Sequence, residues 1–302
     1  MIRLDQRRPI LTSAPPRQRR LIGISLLPAA ATLGNLLCGF GAILCCVLTV
    51  SSSSEGLPRV VSTRVAEWMP TYLSVGALLI VLSLVFDALD GRLARLTRRT
   101  SAFGAQLDSL SDVVSFGVAP ATLVLAAFLR TWNVSDAGLG PLGMLQWRLG
   151  LVAALAFVSC AAIRLARYNV ESAKGEEALR AFSGLPTPGG GSLVVALVAL
   201  HERLVSFPVP LLGVDGPEVL RWAMLGALLV CGLLMVSRVE YAHVFNQYVR
   251  RRRPPTDLVW LLLIISVGVF SLELLLVVVA LGYVASGPVL TALPQRRETR
   301  TE

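Results

Sequence analysis

Blocks of roughly 18–25 consecutive apolar residues recur along this chain, each long enough to cross the hydrocarbon core of a bilayer as a helix. The chain is 302 residues long and 54% apolar, above the roughly 45–50% usual for a soluble domain. The first expectation is therefore an all-α polytopic membrane protein. Six spans are expected at residues 29–50, 71–89, 108–129, 149–167, 190–201 and 219–236. The fifth has room to start a few residues earlier. A further block, 258–285, reads either as one long tilted helix or as two short ones broken near 271–273. The chain divides into a basic tail at 1–27, expected to be disordered, and a membrane domain at 28–257. Additional C-terminal membrane segment(s) follow at 258–286 and a polar tail at 287–302. No internal repeat and no second, soluble domain is apparent. The first block lacks a clear small-residue cleavage site and is not read as a cleaved signal peptide.

The net charge is +9, and Lys174 is the only lysine. The arginines lie between the apolar blocks, so they point to membrane topology and lipid headgroups, not to nucleic acid. Six lie in the first 20 residues. Arg92, Arg95, Arg98 and Arg99 follow span 2; Arg164, Arg167, Lys174 and Arg180 follow span 4; Arg238 and residues 250–253 follow span 6. The opposite loops hold one or two each. The positive-inside rule then places the N-terminus and the loops after spans 2 and 4 in the cytoplasm. The five cysteines, Cys38, Cys45, Cys46, Cys160 and Cys231, all lie in apolar segments. They read as small membrane-buried residues, not as a disulfide or zinc framework.

The chemistry concentrates between spans 2 and 3. Asp87 and Asp90 are spaced i, i+3, and Asp108 and Asp112 are spaced i, i+4. On helices both spacings put the two carboxylates on one face. Carboxylates crowded at the ends of apolar helices repel one another and are costly to bury. A divalent cation resolves both problems, and all-oxygen ligation suits Mg²⁺ or Mn²⁺. Gly91, Ala94 and Gly104 allow close approach to the backbone. Arg95 adds a planar cation suited to phosphate. Together these describe a pocket for a diphosphate. A lone D-x-x-D-G at a span end is ordinarily a helix cap or a solvated loop. The full pattern D-x2-D-G-x2-A-R-x8-G-x3-D-x3-D specifies eight positions over 26 residues, which neither reading explains.

This pattern resembles the signature of the CDP-alcohol phosphatidyltransferase family at every specified position. The segments PAAATLGNLLCG (28–39), DSLSDVVSFGVAP (108–120), RLARYN (164–169), GLPTP (184–188) and MVSRVEY (235–241) look like its phosphatidylserine-synthase branch. The resemblance implies a six-helix core of that family, with one or two C-terminal membrane helices added. It implies a divalent metal, Mg²⁺ or Mn²⁺, at Asp87, Asp90, Asp108 and Asp112, with Asp112 also in the base position. Gly91, Ala94, Arg95, Gly104 and Thr32 then correspond to positions around the CDP moiety. Many members have Asn where this chain has Ala29, so a nucleotide contact from that side chain is absent or supplied elsewhere, Asn35 being one candidate.

The implied reaction is phosphatidyl transfer from CDP-diacylglycerol to L-serine within membrane lipid, by a homodimer in the cell membrane whose site faces the cytoplasm. Serine has a carboxylate and an ammonium to be held. Arg164 and Arg167, on adjacent turns, with Asn169 just beyond, are the candidates. Only His201 and His243 are present, neither in an H-x-K-x4-D motif, which argues against the phospholipase-D-like serine phosphatidyltransferases; both read as interfacial. Alternatives are the same chemistry on glycerol 3-phosphate or an inositol phosphate, or with an ether-lipid donor. A polytopic metal transporter is the alternative of another class, and predicts acidic residues spread through several spans near mid-membrane.

Overall fold

A chain that buries its backbone in lipid must satisfy each N–H and C=O within the crossing segment, which leaves helices as the solution for apolar blocks of this length. The computed structural model describes residues 22–55, 71–97, 102–133, 141–172, 184–207, 216–239, 241 and 271–292. Every regular element among them is helical. These are α1 (Ile22–Glu55), α2 (Tyr72–Thr97), α3 (Ala102–Asp112), a π-helical turn (Val113–Val118) and α4 (Ala119–Asn133). Then come α5 (Pro141–Ser172), α6 (Thr187–Ser206), α7 (Gly216–Val236) and α8 (Leu272–Ala292). Helices α3 and α4 and the turn between them form a single crossing, so the described residues contain seven helical stretches long and apolar enough to span a bilayer. The all-α polytopic expectation holds. Helix α8 starts at the expected break near residue 271; α1 begins at Ile22, inside the stretch expected as a disordered tail, and α8 runs to Ala292, inside the expected polar tail, while 1–21, 258–270 and 293–302 lie outside the described residues.

The helices are inside-out relative to those of a soluble bundle. On α1, Leu33, Leu37, Phe40, Leu44 and Val47 are exposed, at alternating spacings of four and three, and form the lipid-facing stripe. Its opposite face is small or polar: Thr32, Asn35, Ala42, Cys46 and Thr49 are all buried. Lipid tails are as apolar as leucine, so helices associate here through close packing and interhelical hydrogen bonds. Glycines supply the close packing. A Cβ on Gly39 would stand 2.8 Å from the Ser115 Cα, and one on Gly34 3.0 Å from the Phe86 ring. The centre is filled by Phe116, Leu123, Phe128, Phe157, Met224 and Leu228, all fully buried. The cysteines are all free, and four of the five are buried.

Two polar clusters lie at opposite ends of this apolar waist. At one end the fully buried Glu202 of α6 accepts hydrogen bonds from Arg130 of α4 (2.6 Å) and from Thr71 at the start of α2 (2.6 Å). His201 Nδ1 lies 3.1 Å from its other oxygen. The interfacial reading of His201 is corrected: its side chain is 1% exposed, because α2, α4 and α8 enclose the end of α6. His243 lies outside the described residues. Arg203 faces Glu273 of α8 at 3.7 Å, and Gln146 of α5 donates to Glu218 of α7 at 3.2 Å. Six helices that begin or end here are thus tied: α2, α4 and α8 to α6, and α5 to α7.

At the other end a strap joins α6 to α7. Gly184 N–H donates to Val239 O (2.8 Å), and Leu185 N–H donates to Leu234 O (3.0 Å). Gly184 holds φ at 107°, a left-handed conformation that glycine adopts without steric cost. A Cβ there would lie 2.5 Å from Met235 O. This strap brings Thr187 and the start of α6 to the end of the bundle where the aspartates lie.

Candidate active site

Helix α2 continues past its apolar block to Thr97, and α3 begins at Ala102, ahead of the third expected span. All four aspartates therefore sit inside helical turns. Asp87 and Asp90 lie one turn apart on α2, and Asp108 and Asp112 one turn apart on α3. The carboxylate oxygens of Asp87, Asp90 and Asp108 come within 4.8 Å of one another. Asp90 Oδ2 and Asp108 Oδ1 are buried and have no hydrogen-bond partner among the described residues. A buried carboxylate oxygen without a donor costs about 1–3 kcal/mol or more, and three such groups side by side repel one another. A hard cation with oxygen ligands removes both costs, so the donor set fits Mg²⁺ or Mn²⁺. Asp87, Asp90 and Asp108 are the groups placed to hold it.

Asp112 stands beside this trio but is held differently. Its Oδ1 accepts a hydrogen bond from Asn35 Nδ2 of α1 at 3.0 Å. The Asn35 side-chain oxygen in turn accepts from Ser83 of α2, and Ser115 donates to the Asn35 backbone oxygen at 3.0 Å. Ser111, next to Asp112, donates to Thr32 O at 3.1 Å. Three helices therefore orient one carboxylate, which is 7% exposed. The amide is engaged with Asp112, a role not anticipated for it. The available signal was an asparagine in the middle of an apolar span, which is costly unless a buried partner awaits it.

The remaining sequence candidates divide. Thr32 is buried; its hydroxyl donates to Pro28 O at 3.0 Å and also faces Asp90. Gly91 has nothing within 4 Å of where a Cβ would stand, so the space over this turn is open to a ligand. Gly104 lies on the first turn of α3, one turn before Asp108. Ala94 and Arg95 follow one turn after Gly91 on α2, and their side chains lie outside the described residues.

The two arginines of α5 part company. Arg164 is 9% exposed; its Nη1 donates to Thr187 at 3.1 Å, and the guanidinium lies within electrostatic reach of Asp112. Arg167 turns outward to an ion pair with Glu171 at 2.8 Å. Asn169 pairs with Ser109 (2.9 Å), tying α5 to α3 beside Asp108. The structure thus gathers Asp87, Asp90, Asp108, Asp112, Asn35, Thr32 and Arg164 at one end of the bundle. Acidic residues spread through mid-membrane, as a transporter pathway needs, do not occur among the described spans; Glu202 is at the opposite end and ion-paired.

The model of the CDP-alcohol phosphatidyltransferase family matches residues 25–234. The chain is 36% identical over 170 residues to the CDP-diacylglycerol–serine O-phosphatidyltransferase of Methanocaldococcus jannaschii, covering 56% of this chain and 64% of that one. It is 37% identical over 163 residues to the protein of the same name from Helicobacter pylori strain J99, covering 54% and 58%. With that of Saccharomyces cerevisiae the identity is 38% over 150 residues, covering 47% and 48%. In each case the match spans less than two thirds of the relative's length.

Proposed function

The chain belongs to the CDP-alcohol phosphatidyltransferase family, and from that premise we propose that it transfers the phosphatidyl group of CDP-diacylglycerol to the hydroxyl of L-serine, releasing CMP. The observation that carries this reading is the trio of carboxylates within 4.8 Å, with two buried oxygens lacking donors, beside a fourth carboxylate oriented by an amide. Serine as acceptor is supported by the relatives' names and by the buried Arg164 next to Asp112.

In this mechanism Asp87, Asp90 and Asp108 hold a divalent cation, which when bound neutralises diphosphate charge in the transition state. The open turn at Gly91 admits the diphosphate, and the sequence pattern adds Ala94 and Gly104 to the positions around it. Arg95 supplies a planar cation for the phosphates. Arg164 takes the serine carboxylate in its guanidinium fork. Asn35 holds Oδ1 of Asp112, which leaves Oδ2 to accept the serine hydroxyl proton. The serine oxygen then bonds to the phosphorus that carries diacylglycerol, the bond from that phosphorus to the CMP oxygen breaks, and CMP leaves with its electron pair. The proposal includes a site facing the cytoplasm, from the arginine distribution, and a homodimer.

Purified protein offered CDP-diacylglycerol and a panel of labelled alcohols is expected to make lipid product with serine alone. EDTA should abolish transfer, and Mn²⁺ or Mg²⁺ should restore it. Product with glycerol 3-phosphate or an inositol phosphate in place of serine would reassign the acceptor, and transfer indifferent to chelator would remove the metal. Thermal unfolding gives a second readout: Mn²⁺ should raise the midpoint of the wild type but not that of Asp90→Asn.

The structure also separates the two arginines of α5. Arg164→Ala is expected to raise the KM for serine about tenfold or more, the loss of a charge-assisted contact, with the KM for CDP-diacylglycerol little changed. Arg167→Ala should leave both within about twofold, because that side chain turns to a half-exposed ion pair with Glu171. Steady-state kinetics in both substrates decide this, and equal effects of the two substitutions would refute the distinction.

A further inference from the structure

Ser83 lies four residues before Asp87, so the two share one face of α2, a turn apart. It is fully buried, as are Asn35 and Ser115. Its hydroxyl has two acceptors within reach, both on Asn35 of α1. The nearer is the side-chain oxygen, and the backbone oxygen stands at 3.5 Å. The amide nitrogen of the same Asn35 donates to Asp112 Oδ1 at 3.0 Å. A hydroxyl, an amide and a carboxylate therefore run in series from α2 through α1 to α3. The backbone of α1 is held here by other means. Ser115 donates to Asn35 O at 3.0 Å and Ser111 to Thr32 O at 3.1 Å. One turn along, Gly39 packs so closely that a Cβ would stand 2.8 Å from the Ser115 Cα. What the Ser83 hydroxyl adds is therefore not the place of Asn35 but the rotation of its amide.

We propose that Ser83 is a positioning residue for the proton transfer: by donating to the Asn35 side-chain oxygen it fixes the amide, so that Nδ2 holds Oδ1 of Asp112 and Oδ2 is left for the acceptor's hydroxyl. An asparagine amide carries an oxygen and an NH2 of nearly equal size, so packing alone does not choose between its two orientations. Turned over, it would set one acceptor against another, with no proton between the amide oxygen and the carboxylate. Without the Ser83 hydroxyl, the amide oxygen is buried with no donor among the described residues, and buried polar groups do not stay unpaired where they can turn. The amide then rotates and Asp112 loses its brace. In series the two hydrogen bonds also strengthen each other, because each polarises the amide they share. A reacting group displaced by about 1 Å can cost about 10²-fold in rate, so aim matters as much as presence. Since Ser83 shares its face with Asp87, the helix that supplies a metal ligand also aims the base. The inference deepens the proposed transfer reaction, and rests on Asp112 as its base.

The test uses the full chain in lipid nanodiscs, with turnover and both KM values measured per folded protein. Ser83→Ala deletes one hydroxyl and leaves the amide and every carboxylate in place. It is expected to lower turnover about tenfold, the loss of one buried hydrogen bond, with both KM values within about twofold. The Mn²⁺-dependent rise in thermal midpoint should persist, because the three ligand carboxylates are untouched. Made in Asp112→Asn, or in Asn35→Ala, the same substitution should cost less than about twofold more, since the series is already broken. Turnover by Ser83→Ala within about twofold of wild type overturns the proposal, and so does a full tenfold loss kept in either background. A lost Mn²⁺ response overturns it as well, by assigning Ser83 to the metal site. Wild-type protein that uses an alcohol other than serine refutes the serine assignment alone, and the Ser83 comparison is then read with that alcohol. Near-normal turnover by Asp112→Asn removes the base and this proposal with it. Wild-type protein that transfers to no alcohol overturns the transfer reading and the proposal together.

Discussion

Replacing Asp112 by asparagine is expected to cut turnover by about 10²–10⁴-fold, the range over which a positioned base contributes, while CDP-diacylglycerol binding stays within about threefold. The substitution keeps the size of the side chain and can keep a hydrogen bond to the Asn35 amide, which now lies 3.0 Å from Oδ1. It removes only the ability to take up a proton. Asp90→Asn should look different. Asp90 is one of three carboxylates within 4.8 Å, and one of its oxygens is buried without a donor. Its loss should remove activity together with the Mn²⁺-dependent rise in thermal midpoint, because the variant loses a ligand and not a base. Single-turnover transfer, donor binding and thermal unfolding separate the two behaviours. Near-normal turnover by Asp112→Asn would assign the base elsewhere, and a normal metal-dependent shift in Asp90→Asn would break up the proposed ligand set.

The second large effect is expected at the opposite end of the bundle. Glu202 is fully buried and holds Arg130 and Thr71, each at 2.6 Å. Removing one partner of a buried pair strands the other charge and typically costs about 3–5 kcal/mol. At about 2–4 °C per kcal/mol for chains of roughly this size, Glu202→Ala should lower the thermal midpoint by about 6–20 °C. Substrate KM values of the folded fraction should hold, since the cluster lies across the apolar waist from the aspartates. Arg130→Leu combined with Glu202→Leu should recover part of the loss, because no charge is then left buried. A midpoint within about 1 °C of wild type for Glu202→Ala would show that the cluster carries no stability.

What could be read from residues alone follows from what the bilayer demands. Apolar length located the crossings, since only helices satisfy the backbone in lipid. It did not locate helix ends. Helix α2 runs on to Thr97 and α3 starts at Ala102, because an interface ends the need for apolar side chains without ending the helix. The aspartates were legible because their spacing is local to two helices. The partners of Asp112 were not: Asn35 is 77 residues away and Ser83 reaches it only through Asn35. Arg164 and Arg167 looked alike in sequence, being three positions apart, and only the packing of α6 shows which one is buried. The same holds for Glu202, whose burial depends on the neighbouring helices that close around the end of α6.

The π-helical turn at Val113–Val118 bears on how the length of this chain is to be counted. There the Ala119 N–H bonds back five positions, to Val114 O, instead of the usual four, so the turn takes up one residue more than a continuous α-helix needs. An α-helix rotates about 100° per residue. A residue gained or lost elsewhere in this crossing would therefore swing the buried face of α4 away from the face that bears Asp108 and Asp112. Within the wide turn the same change is absorbed as a switch between two hydrogen-bonding patterns, and both faces keep their aim. For this crossing the distance from the last aspartate to the apolar core is an angle before it is a number of residues. A homologue one residue shorter between Asp112 and Ala119 would be gapped in alignment and unaltered in the direction its carboxylates point.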